Sequence, residues 1–133
     1  MTIRMLVTAA GSRYIVDRPP KGYPNKGDVI RERATLRNAV AQFGRPKGAI
    51  VGSDTWMMTI VVPPFAKADV KATTLLPGGT IRTTGAITAL QETATFRVLG
   101  GTGQYRGTHG TLAMRNLNSS GSRGFSIFRL QLP

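Results

Sequence analysis

Apolar and polar positions alternate with period two along most of the chain, and the alternation is broken repeatedly by glycine, proline and asparagine. The cleanest case is Ala66, Ala68, Val70, Ala72 and Thr74 set against Lys67, Asp69, Lys71 and Thr73, the pattern of a half-buried strand. Residues 3–16 are β-prone with a break at Gly11, which fits one bent strand or two short ones. Residues 48–62 are rich in β-branched and apolar types on both faces: Ile50, Gly52, Asp54, Trp56, Met58 and Ile60 on one, Val51, Ser53, Thr55, Met57, Thr59 and Val61 on the other. Further strands are predicted over 80–88, 93–99, 105–117 and 123–132, the last setting Phe125 and Ile127 against Ser126 and Phe128. The breaks between them are a Pro-rich loop over 17–26, turns at 42–47, 77–79 and 118–121, and the stop at Pro63 and Pro64.

Residues 28–40 carry the most informative alternation. Asp28, Ile30, Glu32, Ala34, Leu36, Asn38 and Val40 fall on one face, and Val29, Arg31, Arg33, Thr35, Arg37 and Ala39 on the other. That places three arginines together and carboxylates among aliphatic residues. A helix is the competing reading, because RERATLRNAVAQF is helix-friendly in composition. With 3–16 as one strand the count is eight, all joined by turns. Such a string of short strands means a sandwich or a barrel, and closure removes the free edges. The 133 residues fit a single domain, 1–133, large enough to bury a core.

Composition narrows the chemistry. Cysteine is absent and histidine occurs once, which argues against disulfides, thiolate chemistry and a zinc site, so neither metal nor cofactor is expected. No secretory leader or membrane span is legible, and a soluble, cytoplasmic protein is expected. Eighteen Lys and Arg against six Asp and Glu give a formal net charge of +12. The arginines are scattered, densest at Arg31, Arg33 and Arg37, and this reads either as a solvated basic face or as an anion-attracting surface. Nucleic acid is disfavoured, because aromatics make up 7% of the chain and do not interleave with the arginines.

The stretch VLGGTGQYRGTHG, Val98 to Gly110, runs an apolar strand into Gly100, Gly101, Thr102 and Gly103. Such a run is either a β-corner or a phosphate-cradling loop. The second needs a helix to follow, and Tyr105 to Thr111 is poor helix material. Phe96–Gly110 resembles the signature of the allene oxide cyclase and dirigent protein superfamily. Thr74–Thr88 resembles that family's strand, GG-T-I turn and return strand, and Gly27–Ala39 its Gly-Asp start of an early long strand. The resemblance implies an eight-stranded antiparallel β-barrel with a mostly apolar cavity, commonly trimeric. It also implies a function class, in which a reactive small molecule is folded into one ring-closing or coupling geometry, as in natural-product cyclases. Thr108 and His109 depart from the usual Ala-Arg of dirigent sequences, and the plant proteins' leader and cysteines are missing. Only the corner glycines are carried over; no catalytic residue is.

Inside such a barrel an ionisable group does acid or base work, because desolvation raises a carboxyl pKa. Glu32 is the leading candidate, sharing a face with Ile30, Ala34 and Leu36; a register one residue off would instead turn the arginines inward. Asp54 follows by the same parity, and Asp28, nearer a strand end, suits a rim or turn. Tyr105 and His109 are four apart on the strand leaving the corner, where a phenol orients a carbonyl and an imidazole shuttles a proton; a lone histidine also serves structure or faces solvent. Trp56, Met58, Phe96 and Phe128 either line an apolar pocket or fill it. The expected activity is that of a small-molecule cyclase or isomerase acting chiefly by preorganisation, on an apolar or anionic substrate, as a trimer or dimer. The alternative is a non-catalytic barrel that binds an anionic metabolite or an acidic carrier protein.

Overall fold

In the computed structural model, which describes residues 1–89, 91–118 and 120–133, eight strands follow one another round a closed barrel. They are β1 (Thr2–Val16), β2 (Val29–Asn38), β3 (Ile50–Val62), β4 (Lys67–Leu76), β5 (Gly79–Thr88), β6 (Thr93–Gly101), β7 (His109–Asn116) and β8 (Arg123–Gln131). Every neighbouring pair is antiparallel, and β1 closes the ring on β8 from Thr2 opposite Arg129 to Thr8 opposite Arg123. Closure satisfies the backbone groups that a lone sheet would leave at its edges.

Period two dictates the wall. β4 alternates exposed and buried without a fault from Lys67 to Leu76, so Ala68, Val70, Ala72 and Thr74 point inward. On β2 the arginines Arg31, Arg33 and Arg37 take the outer face, while Ile30, Leu36 and Asn38 are buried. The strand reading of this segment therefore holds over the helical one, and the strand stops at Asn38. There the buried Asn38 amide donates to the carbonyls of Gln42 (2.9 Å), Arg45 (3.2 Å) and Pro46 (3.3 Å), pinning the loop to β3. The first fifteen strand residues form one bent strand, with the register shift between Ala9 and Gly11.

Two expectations change. Ile50 does not share the inner face of Asp54, because β3 shifts register opposite Leu36 and Arg37; Val51 is 5% exposed and Ile50 53%. The strand predicted over 105–117 also does not leave the corner directly. Gly103–Tyr105 forms a single 3-10 turn, and β7 begins only at His109. No helix of phosphate-binding length follows the corner among the described residues, so the β-corner reading stands. Of the turn predicted at 118–121, Ser119 lies outside the described residues.

The corner glycines are required for different reasons. Gly100 and Gly103 adopt φ of +137° and +60°. Gly101 has an ordinary φ, but a Cβ there would stand 2.2 Å from the Thr80 carbonyl oxygen. The close approach is to β5, with the Cβ and carbonyl oxygen of the buried Tyr105 also against this glycine.

Candidate functional site

The barrel is filled at the end bearing the Gly corner and open at the other. Ile3, Leu36, Ile81, Tyr105 and Phe128 pack the closed end almost without exposure. Towards the far end the inward side chains become smaller or stand apart, leaving a cavity of about 380 Å³ open to solvent. Its walls are Val7, Trp56, Met58, Ile87, Phe96 and Met114, and its rim includes Arg33, Phe65, Glu92 and Ser122. Trp56 and Phe96 meet edge to face, with ring centres 5.4 Å apart at 74°. This fixes an aromatic corner inside the wall.

Glu32 enters the cavity from β2, where its backbone partner on β3 is Trp56. Ile30, two residues nearer the start of the strand on the same face, is buried, and alternation sets Glu32 on that face at the level of the aromatic pair. Glu32 is an exposed residue at the mouth of the cavity, and the partial desolvation of its carboxyl raises its pKa above the ordinary value. A raised carboxyl holds its proton nearer neutrality, which suits a general acid.

Asp54 and Phe128 do not line the cavity. Asp54 is 3% exposed, opposite Ala34 on β2 and Thr74 on β4, and takes the Thr74 hydroxyl hydrogen bond at 2.5 Å. Burial pushes its carboxyl up to about 6, with the Thr74 and Trp56 side-chain donors pulling the other way. Phe128 is wholly buried in the packed part of the barrel. Both lie deeper than the open end, at a depth that parity does not encode.

A stability prediction follows from Asp54. Its folded pKa lies above the unfolded 3.8, so the folded state holds the extra proton, and stability present below pH 3.8 is lost as pH rises towards about 6. The loss is on the order of 3 kcal/mol. Asp54→Asn, which keeps an acceptor for Thr74, is therefore expected to gain stability over the wild type at pH 7 and to lose that advantage near pH 4. Urea unfolding of both proteins at the two pH values measures this; an unchanged difference between them contradicts it.

Tyr105 and His109 are not brought to the cavity. Tyr105 sits in the 3-10 turn at the closed end, fully buried, and its hydroxyl donates to the Pro77 carbonyl at 2.9 Å. His109 opens β7 on the exposed outer face. The physical reason is the intervening turn, which breaks the alternation that would have aligned them. Asp28 is a loop anchor: its carboxylate accepts the Arg18 amide at 2.7 Å and the Asn25 amide at 2.9 Å, holding the 17–27 loop.

Sequence reasoning missed Val7, Ile87 and Met114, each an inward position of an alternating strand, and the rim residues Phe65, Glu92 and Ser122, which three separate hairpin ends bring together. Only the first three carry a signal in the pattern. Among the described residues no group of three His, Cys, Asp or Glu side chains is placed to hold a metal ion. No helix among them is long and apolar enough to cross a membrane.

A closed wall thus encloses a cavity with largely apolar walls, with Glu32 at the level of the Trp56–Phe96 pair. Neither a protein-family model nor a curated protein sequence matches the chain. Solved structures do. A pyocyanin demethylase superimposes with a TM-score of 0.74 at 19% identity, over 98% of this chain and 100% of that one. A pterocarpan synthase dirigent protein gives 0.72 at 12% identity, over 100% of this chain and 90% of that one. A Diels Alderase from Streptomyces koyangensis gives 0.73 at 16% identity, over 100% of this chain and 69% of that one. The chain thus has the eight-stranded barrel fold that dirigent proteins and Diels-Alderases share, as the corner motif suggested.

Proposed function

We propose that this protein is a small-molecule cyclase or isomerase of natural-product type, in which the barrel holds an apolar substrate in a ring-closing conformation. The observation that carries the reading is the open cavity of about 380 Å³ with apolar walls and Glu32 set beside Trp56. Such a volume suits one drug-sized ligand. Ring closure within one molecule makes new σ bonds at the expense of π bonds and loses no atoms, so the wall has little covalent work to do. Its contribution is to restrict the substrate to near-attack conformers. In its protonated form Glu32 donates a hydrogen bond or the proton to a substrate carbonyl oxygen and recovers it as the ring closes. The barrels of similar structure, named for dirigent, cyclase and Diels-Alder activities, support this reading. A homotrimer in the cytoplasm belongs to the same proposal, and a native mass spectrum of the purified protein gives the subunit number.

Trp56 is the chain's only tryptophan and lies in the cavity wall, so its fluorescence reports occupancy directly. Linear conjugated polyene carbonyl compounds are expected to quench it saturably and to be converted to products of unchanged mass. Absence of both quenching and rate enhancement over buffer across such a panel overturns the proposal. Filling the cavity by Ala94→Trp is expected to abolish binding of the same compounds while circular dichroism stays that of the barrel; retained affinity would place the ligand elsewhere.

A further inference from the structure

Beyond Thr8, β1 leaves β8 and pairs with β2 alone, so that Gly11–Val16 forms a free edge running beside Val29–Arg33, which stays in the wall through its pairing with β3. On its outer face Arg13 lies directly opposite Arg31, and Gly11 directly opposite Arg33. Four pair positions therefore make a small rectangle, about 5 Å across the strands and about 7 Å along them. Three corners carry guanidinium groups and the fourth carries no side chain. A Cβ built on Gly11 would meet no atom within 4 Å, so the ground over that corner is open.

Like charges placed directly opposite are unfavourable, and nothing facing this rectangle relieves them. The outward neighbours on β3 are Met57, opposite Arg31, and Thr55, opposite Arg33; behind them on β4 stand Lys71 and Thr73, and on β5 Arg82. The six acidic residues are placed elsewhere. Glu32 and Glu92 line the cavity, and Asp28 and Asp54 are buried. Asp17 turns to the Gly22 amide, and Asp69 is the one carboxylate on the outer strand wall, opposite Thr59 and Ala86. The charges acting on Arg31 are those of Arg33 and Arg13, and they lower its pKa.

We propose that Arg13, Arg31 and Arg33 form a binding site for a phosphate-class oxyanion seated over Gly11. Three guanidinium forks match the three free oxygens and double charge of a phosphate monoester or pyrophosphate end, where a carboxylate offers two oxygens and one charge. The site lies on the face of the hairpin opposite Glu32; Arg33 also borders the cavity rim, while Arg13 and Arg31 do not line the cavity. Its phosphate is that of a free phosphate ester or one borne by a polyanion.

Thermal unfolding with millimolar phosphate or pyrophosphate, against chloride at equal ionic strength, tests it. Both anions are expected to raise the wild-type Tm, as ligands of the folded state do, and acetate is not. Arg31→Gln is expected to weaken the apparent phosphate affinity about tenfold, while its Tm in chloride is no lower than wild type, since a like-charge contact is removed. Arg115→Gln, on the outer face of β7, should keep the full shift. A shift of the same size in R31Q and wild type, or no wild-type shift with either anion, overturns the site. A short DNA duplex at matched phosphate concentration separates the sources. Duplex binding lost in R31Q marks a polymer-borne phosphate; duplex binding unchanged, with the pyrophosphate shift still lost, marks a free ester.

Discussion

Gly103→Ala is expected to destabilise the barrel by on the order of 3–5 kcal/mol, enough to unfold a domain of ordinary stability. Two effects add at this position. The residue has φ of +60°, and its Cβ would stand 2.1 Å from the Gly78 carbonyl oxygen, a backbone atom that cannot swing away. That oxygen also accepts the Gln104 amide at 2.9 Å, so moving it breaks the link between the β4–β5 and β6–β7 turns. Gly100→Ala separates the two effects. Its φ of +137° is strained for alanine, but the nearest atom to a Cβ is the Arg82 Nη2 at 3.9 Å. A loss of about 1–3 kcal/mol is expected there. Urea unfolding midpoints of the two variants measure the difference, and a Gly100→Ala loss equal to that of Gly103→Ala would show that backbone strain alone governs the corner.

Glu32→Gln is expected to lower turnover of a bound substrate by about 10²–10⁴-fold, the usual contribution of one general acid or base. The amide keeps the shape of the wall, so saturable quenching of Trp56 should persist and stability should not fall. The pH profile gives the sign. Partial desolvation raises the Glu32 carboxyl, and if the protonated form acts, activity is present below that raised pKa and declines as pH rises through it. In the variant this decline disappears. Single-turnover rates across pH 4 to 9 with the quenching ligand decide the matter; a Glu32→Gln enzyme with wild-type rate and profile would leave the barrel a pure conformational template.

These expectations separate what is local from what is not. The two faces of β2, β4 and most of β3 were legible as alternation, because successive side chains of a strand point to opposite sides whatever the rest of the chain does; which face of β2 turns inward was decided by the closed barrel. Glu32, Trp56, Met58 and Phe96 were found that way, and the structure brings all four to one cavity. Alternation says nothing of depth, however. Asp54 is two residues from Trp56 on the same face, yet it is enclosed between Ala34 and Thr74 while Trp56 borders open space.

The chain by itself determined the strand-forming stretches, their turns, the grouping of Arg31, Arg33 and Arg37 on one face of β2 and the Gly corner, since each rests on neighbours within a few residues. Tertiary structure alone decided which end of the barrel is packed and which is open. It placed Tyr105 and His109 away from the cavity by spending Gly103–Tyr105 on a 3-10 turn, and it exchanged Ile50 for Val51 on the inner face through one register shift. It also assembled the rim from Phe65, Glu92 and Ser122, and set Arg13 opposite Arg31 across the first hairpin. Those outcomes depend on strand stagger and on loops far apart in sequence, which meet only when the sheet closes on itself.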